Sequence, residues 1–186
     1  TIPQKELTAM NKKVLIVSSS PRKHGNSDLL CDEFARGAKD AGNEVEKVFL
    51  ADKSINYCRG CGICNSTHKC VQKDDMAELN DKMVKADVIA LVSPVYYFAL
   101  TAQLKTVIDR FYSRTYDING KQSVLLAAGG SDTPLTMRSI AKHYETLAGY
   151  MHWQDRGRVL APGCPTCEAV AKTEYPQKAF ELGMSL

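Results

Sequence analysis

The sequence lacks any apolar run near the roughly 20 residues that a bilayer-crossing helix needs, and no membrane partner is expected. It also lacks a basic block. Its 24 Lys and Arg stand against 21 Asp and Glu, a net charge of +3, too weak a field to argue for nucleic acid. No internal repeat, low-complexity tract or linker is visible, so one domain is expected. The first loop carries no G-x-G-x-x-G and is not closed by G-K-[ST], which argues against both the Rossmann and the Walker phosphate loops. Residues 1–9 have no apolar stretch of the signal-peptide kind. Met10 with Asn11-Lys12-Lys13 reads as a natural start, so residues 1–9 are expected to be a loose arm or an expression remnant, with the domain running over 10–186. A cytoplasmic location is the resulting expectation. Cysteine, by contrast, is plentiful: seven residues, better read there as metal binding or redox chemistry than as a disulfide framework.

What is present alternates between apolar runs and helical patterns. Residues 13–18, 45–50, 88–94, 123–130 and 159–161 read as five strands, mostly continuous and β-branched in the manner of doubly covered sheet. Between them, apolar positions recur at helical spacing. Leu29, Leu30, Phe34, Ala38 and Ala41 form one stripe after a cap at Ser27. Residues 74–87, 99–111, 134–147 and 175–184 carry the others. This alternation predicts an α/β fold, a flavodoxin-like doubly wound sheet of five parallel strands in the order 2-1-3-4-5. Ligands of such sheets bind at the carboxyl ends of strands 1 and 3.

The stretch "SSSPRKHGNS" (18–27) falls where the first strand meets the first helix. An anion there meets free N–H groups, the positive end of the helix dipole and several hydroxyls. Arg22 adds a fork able to grip two phosphate oxygens. Farther on, Tyr96, Tyr97 and Phe98 are consecutive. Neighbours along a strand point to opposite faces, so one face cannot bury all three.

With both segments in view the chain resembles the NADPH-dependent FMN reductases. "SPRKHGNS" is similar to their phosphate loop, "SPVYYFALTAQLKTVIDR" (93–110) to their second flavin loop and the helix behind it, and "AAGGSD" (127–132) to their third. The resemblance implies FMN, with its phosphate on Ser20, Arg22, Asn26 and Ser27. It places the ring against Pro94, Val95, Tyr96, Tyr97 and Phe98 and near Gly129 and Gly130. His24 stands close enough to the phosphate loop to touch the cofactor. His68, His143 and His152 read as surface or core residues. The cofactor carries the redox chemistry in such enzymes, so no acid, base or nucleophile is assigned.

"CRGCGICNSTHKC" (58–70) places four cysteines within thirteen positions. Three sit at spacing three, the arrangement of bacterial ferredoxins. Cys70 is not followed by the Pro of two-cluster proteins, so it can close a single site. Structural zinc more often takes two separated pairs. A four-iron cluster, zinc and thiols without metal all remain open on spacing alone. By resemblance the run is that of the iron–sulfur flavoproteins within the family, which implies a [4Fe–4S] cluster on Cys58, Cys61, Cys64 and Cys70. Cys164 and Cys167 ("CPTC") read as an ordinary loop with a redox dithiol as the minority reading, and Cys31 as a small core residue.

Three functions follow. The first is an FMN oxidoreductase reduced by NAD(P)H or ferredoxin that passes electrons on through a cluster. The second is a cluster-free NAD(P)H:FMN or quinone reductase, and the third a flavodoxin-type carrier. The first is the leading reading, with a small-molecule donor and acceptor as partners, and a homodimer or homotetramer as the assembly.

Overall fold

The computed structural model describes residues 11–186; the arm expected over residues 1–9 lies outside the described residues. Five strands, β1 (Lys13–Ser18), β2 (Glu44–Phe49), β3 (Val88–Pro94), β4 (Gln122–Ala128) and β5 (Gln154–Ala161), form one sheet in the order β2-β1-β3-β4-β5. Every pairing is parallel. This is the expected flavodoxin-like topology. Among the described residues no helix is long and apolar enough to cross a membrane.

Side chains alternate across the sheet and so feed two cores. Val14, Ile16, Ala90, Val92, Leu126 and Ala128 pack under α1 (Asn26–Asp40) and α6 (Tyr175–Met184). Leu15, Val17, Ile89, Leu91, Leu125 and Ala127 face α3 (Met76–Lys85), α4 (Ala102–Arg110) and α5 (Pro134–Tyr150). The remaining helix, α2 (Cys64–Thr67), is a single turn inside the cysteine run. α1 and α6 touch backbone to backbone. A Cβ on Gly37 would run into the Phe180 carbonyl, and one on Gly183 into that of Phe34.

Several boundaries differ from the sequence expectation for local reasons. Ser27 does not cap α1. Gly25 occupies that position and provides no side-chain cap, so Ser27 lies inside the first turn. β5 begins five residues earlier than expected, at Gln154 rather than Val159. Its first half is an exposed edge of charged residues, with a bulge where it pairs Ser123 and Val124. Leu50 leaves β2 for a 3-10 turn, Leu50–Asp52.

Candidate functional site

All strands run the same way, so the loops after β1, β3, β4 and β5 meet at one edge and line a cleft of about 230 Å³, partly open to solvent. Of the residues expected to bind the flavin, Ser20, Arg22, Asn26, Ser27, Pro94, Val95, Tyr96 and Gly130 line it. Pro21, Gly25, Ala128 and the segment 164–167 also line it.

The first loop is built around an unfilled demand for an anion. The first helical bond of α1 runs from Leu29 N–H to Gly25 O, so the N–H groups before Leu29 have no partner in the helix. No side chain caps them. The hydroxyl of Ser27 is buried without a hydrogen-bond partner, as is that of Ser18 at the end of β1. An unpaired buried hydroxyl costs about 1–3 kcal/mol; a phosphate at this helix terminus would satisfy Ser27 and the free N–H groups together. Arg22 is exposed at the cleft rim and free to close on such a group. Ser20 and Asn26 line the cleft with side chains already hydrogen-bonded within the protein. The Ser20 hydroxyl accepts from Arg22 N–H (3.2 Å) and donates to Arg22 O (2.9 Å), shaping the loop. The Asn26 amide donates to Cys164 O (3.0 Å) and Thr166 O (2.8 Å), and its oxygen accepts from Val170 N–H (3.0 Å). His24 is exposed and its N–H donates to Asp28 (2.8 Å); it is not part of the cleft lining.

The second loop is a tight aromatic turn. Tyr96 and Ala99 exchange N–H···O bonds of 3.1 and 3.0 Å. Tyr97 and Phe98 between them have positive φ, 47° and 66°. That is the sense of a type I′ turn, which favours Asn-Gly. Bulky residues held there cost on the order of 1–3 kcal/mol each. The turn leaves Tyr97 99% exposed and Tyr96 and Phe98 about half exposed. Tyr96 lines the cleft, whereas Tyr97 and Phe98, next along the turn, do not. Behind them Ser93 Oγ accepts from Thr101 N–H (3.0 Å), and Thr101 caps α4 through Leu104 N–H (3.3 Å).

The third loop is fixed from below. Gly129 N–H donates to Ala161 O (2.9 Å), and its carbonyl accepts from Cys164 N–H (2.8 Å). A Cβ there would lie 2.6 Å from Thr136 Cγ2, so the floor closes only over glycine. Gly129 therefore supports the site and Gly130 faces it.

The cysteine run stands on other walls. None of its four cysteines lines the cleft. Cys58 lines an apolar groove with Phe111, Tyr112, Leu147 and Tyr150, and Cys70 lines a pocket with Asn80 and Ser113. All four are free thiols; Cys58 and Cys61 are exposed, Cys64 and Cys70 partly so. Gly60 N–H points at Cys58 Sγ (3.5 Å). Burial pushes the Cys64 thiol above its ordinary value, and the neighbouring Cys70, Cys61 and Cys58 push the same way. Among the described residues no three of these sulfurs lie within 4.8 Å of one another. Four thiols, with His68 beside them in the run, are soft donors that suit iron–sulfur or zinc rather than a hard cation. Among the described residues the one set of ligand-type atoms that converges, on His24, Asp28 and Asp32, is met by the Lys47 ammonium at 2.6 Å from Asp28 and 2.7 Å from Asp32.

A buried ion pair pins both ends of the run. Arg110, at the end of α4, donates to Asp74 Oδ2 (2.8 Å) and Oδ1 (2.9 Å) and to Asn56 O (2.6 Å). Asp74 also accepts from Asn56 N–H (3.0 Å). Burial alone would raise the Asp74 carboxyl, but the bonds from Arg110 and Asn56 hold it down at about 2. α4 thus runs from the aromatic turn to the base of the cysteine segment.

A flavodoxin-like sheet with an anion-ready first turn, an aromatic second loop and a glycine third loop defines a mononucleotide-binding protein. The family model for NADPH-dependent FMN reductases matches residues 12–158, and the chain belongs to that family. An iron-sulfur flavoprotein of Archaeoglobus fulgidus is 40% identical over 144 residues, covering 75% of this chain and 60% of its own. Another, from Methanocaldococcus jannaschii, is 45% identical over 98 residues, 53% of this chain and 51% of its own. The chain thus spans between half and two thirds of the length of these relatives. A solved flavone reductase superposes with a TM-score of 0.74 at 22% identity, over 92% of this chain and 60% of its own, which shows the shared fold.

Proposed function

We propose that this chain is an FMN-dependent oxidoreductase that takes electrons from NAD(P)H or a ferredoxin and passes them to a further acceptor by way of a [4Fe–4S] cluster on Cys58, Cys61, Cys64 and Cys70. The observation that carries the reading is the buried, unpartnered Ser27 hydroxyl at an uncapped helix N-terminus, inside a cleft walled by an aromatic turn. The flavin, when bound, supplies hydride acceptance and release, and the cluster supplies transfer of single electrons. The chain's own residues bind and orient. Ser27, the first N–H groups of α1 and Arg22 hold the phosphate; Pro94, Val95 and Tyr96 provide a flat wall; Tyr97 and Phe98 shield the lip from water.

Within this reading the cluster run and the flavin cleft are joined through α4. The names of the relatives support the cluster, and so do the four thiols and their spacing. A homodimer or homotetramer belongs to the same proposal, because the apolar groove beside Cys58 carries exposed Tyr112 and Tyr150, a surface suited to burial between copies.

The test compares FMN with riboflavin as ligands of the flavin-stripped protein. Charge-assisted hydrogen bonds are worth roughly 1.5–3 kcal/mol each, so FMN is expected to bind at least ~100-fold more tightly, and Ser27→Ala to narrow that ratio. Equal affinities would place the phosphate outside this loop and overturn the reading.

A further inference from the structure

Cys164 and Cys167 lie outside the motifs of the family resemblance, yet both line the cleft together with Ser27, Val95 and Tyr96. Both are free thiols, Cys164 buried at 5% exposure and Cys167 exposed. The segment that carries them is held in place from two sides. Asn26, from the phosphate loop, takes the carbonyls of Cys164 and Thr166; Gly129, from the third loop, takes Cys164 N–H. A C-x-x-C pair held at the wall of a redox cofactor's cleft, one residue buried and one exposed, has the spacing of a dithiol couple.

We propose that Cys164 and Cys167 form a dithiol–disulfide couple that exchanges two electrons with the flavin bound in this cleft, and that the outlet is an external disulfide. The proposal rests on the FMN reading above. The exposed Cys167 thiolate attacks one sulfur of the external disulfide RSSR and displaces RS⁻, which takes up a proton. Cys164 then gives up its proton and attacks the Cys167 sulfur, forming the Cys164–Cys167 disulfide and releasing the second RSH. That disulfide accepts two electrons and two protons from dihydro-FMN, restoring both thiols and oxidised FMN. With NAD(P)H as donor, the sum is NAD(P)H + H⁺ + RSSR giving NAD(P)⁺ + 2 RSH. Burial holds the Cys164 thiol above its ordinary value, which suits the resolving sulfur and leaves first attack to Cys167.

The sequence makes the test direct. Trypsin cuts after Arg158 and Lys172, and the peptide Val159–Lys172 contains Cys164, Cys167 and no other cysteine. The flavin-loaded protein is oxidised with diamide and freed of reagent. The bound flavin is then photoreduced anaerobically with EDTA and light, which removes the identity of the donor from the question, and samples are alkylated in acid-quenched aliquots. The expected result is a peptide two hydrogens lighter and unalkylated after diamide, returning to the doubly alkylated form on illumination, with flavin-stripped protein unchanged in the same light. Cys167→Ser is expected to lose the two-hydrogen shift and to carry one alkyl group on Cys164. A doubly alkylated peptide after diamide would overturn the couple. So would a disulfide that persists while the bound flavin bleaches. Failure of the FMN reading looks different: no flavin absorbance is retained, whatever the peptide mass, and the flavin link falls with it.

Discussion

Replacing Asp74 by Ala should expose how the fold holds its cysteine run. In the native chain the Asp74 carboxylate meets both Arg110 nitrogens at 2.8 and 2.9 Å, and the side chains are 3% and 1% exposed. Removing one partner of such a pair strands the other charge, at a cost of about 3–5 kcal/mol. The carboxyl gives an independent measure. It is held near 2 in the fold, against an ordinary value of 3.8, and a shift of that size corresponds to on the order of 2 kcal/mol. The sign is fixed: a depressed carboxyl stabilises the fold fully above pH ~4, and that part is lost as pH falls toward 2. Urea unfolding should therefore show Asp74→Ala several kcal/mol less stable at pH 7. The gap to the native protein should narrow below pH 4. Asp74→Leu with Arg110→Met should recover much of the loss, because an apolar pair strands no charge. A loss under about 1 kcal/mol, or a gap that stays constant down to pH 2, would refute the reasoning. Iron content should fall in Asp74→Ala along with protection of residues 57–73 from proteolysis, because Asn56 and Asp74 close the base of that segment.

Other perturbations have equally definite outcomes. Arg22→Ala should weaken FMN binding by about tenfold or more, read by fluorescence titration, since an exposed guanidinium at the rim loses its phosphate contact; unchanged affinity would place the phosphate elsewhere. Tyr97→Asn with Phe98→Gly should stabilise the flavin-free protein by about 1–2 kcal/mol in thermal or urea unfolding while weakening flavin binding, because the turn's positive φ angles are then unstrained. Gly129→Ala should cost roughly 1–3 kcal/mol of stability and reduce flavin retention, because its Cβ meets Thr136 Cγ2 at 2.6 Å.

Much of this was legible from local pattern. Residues 14–17 and 88–92 are apolar throughout because both faces are covered, and the strands that hold them appear where expected. That the loops 18–27 and 95–99 meet at one cleft could be read because each sits at a strand end whose order in the sheet was already implied. What stayed hidden depended on tertiary partners. The start of β5 is charged and solvent-facing, so no periodicity marked it. Nothing local shows that the Asn26 amide ties down a loop more than 130 residues away. The C-x-x-C spacing of "CPTC" left a redox dithiol as a minority reading, but nothing local placed it at the cleft. Its place follows from β5 lying beside β4, which brings the loop after it to the cleft; a reader holding the 2-1-3-4-5 order could have put it there. The Arg110–Asp74 pair was invisible for the same reason: 36 residues separate two charges whose meeting needs the fold.

The most direct test is purification without oxygen, with a visible spectrum and assays of iron and acid-labile sulfide on the same sample, repeated for Cys61→Ser. The account expects flavin bands over a broad shoulder and about four iron per chain; in Cys61→Ser the iron should be gone and the flavin kept. Flavin bands without iron would remove the cluster and leave a plain FMN reductase. A protein that takes up no flavin, even when FMN is added, would contradict the account at its centre.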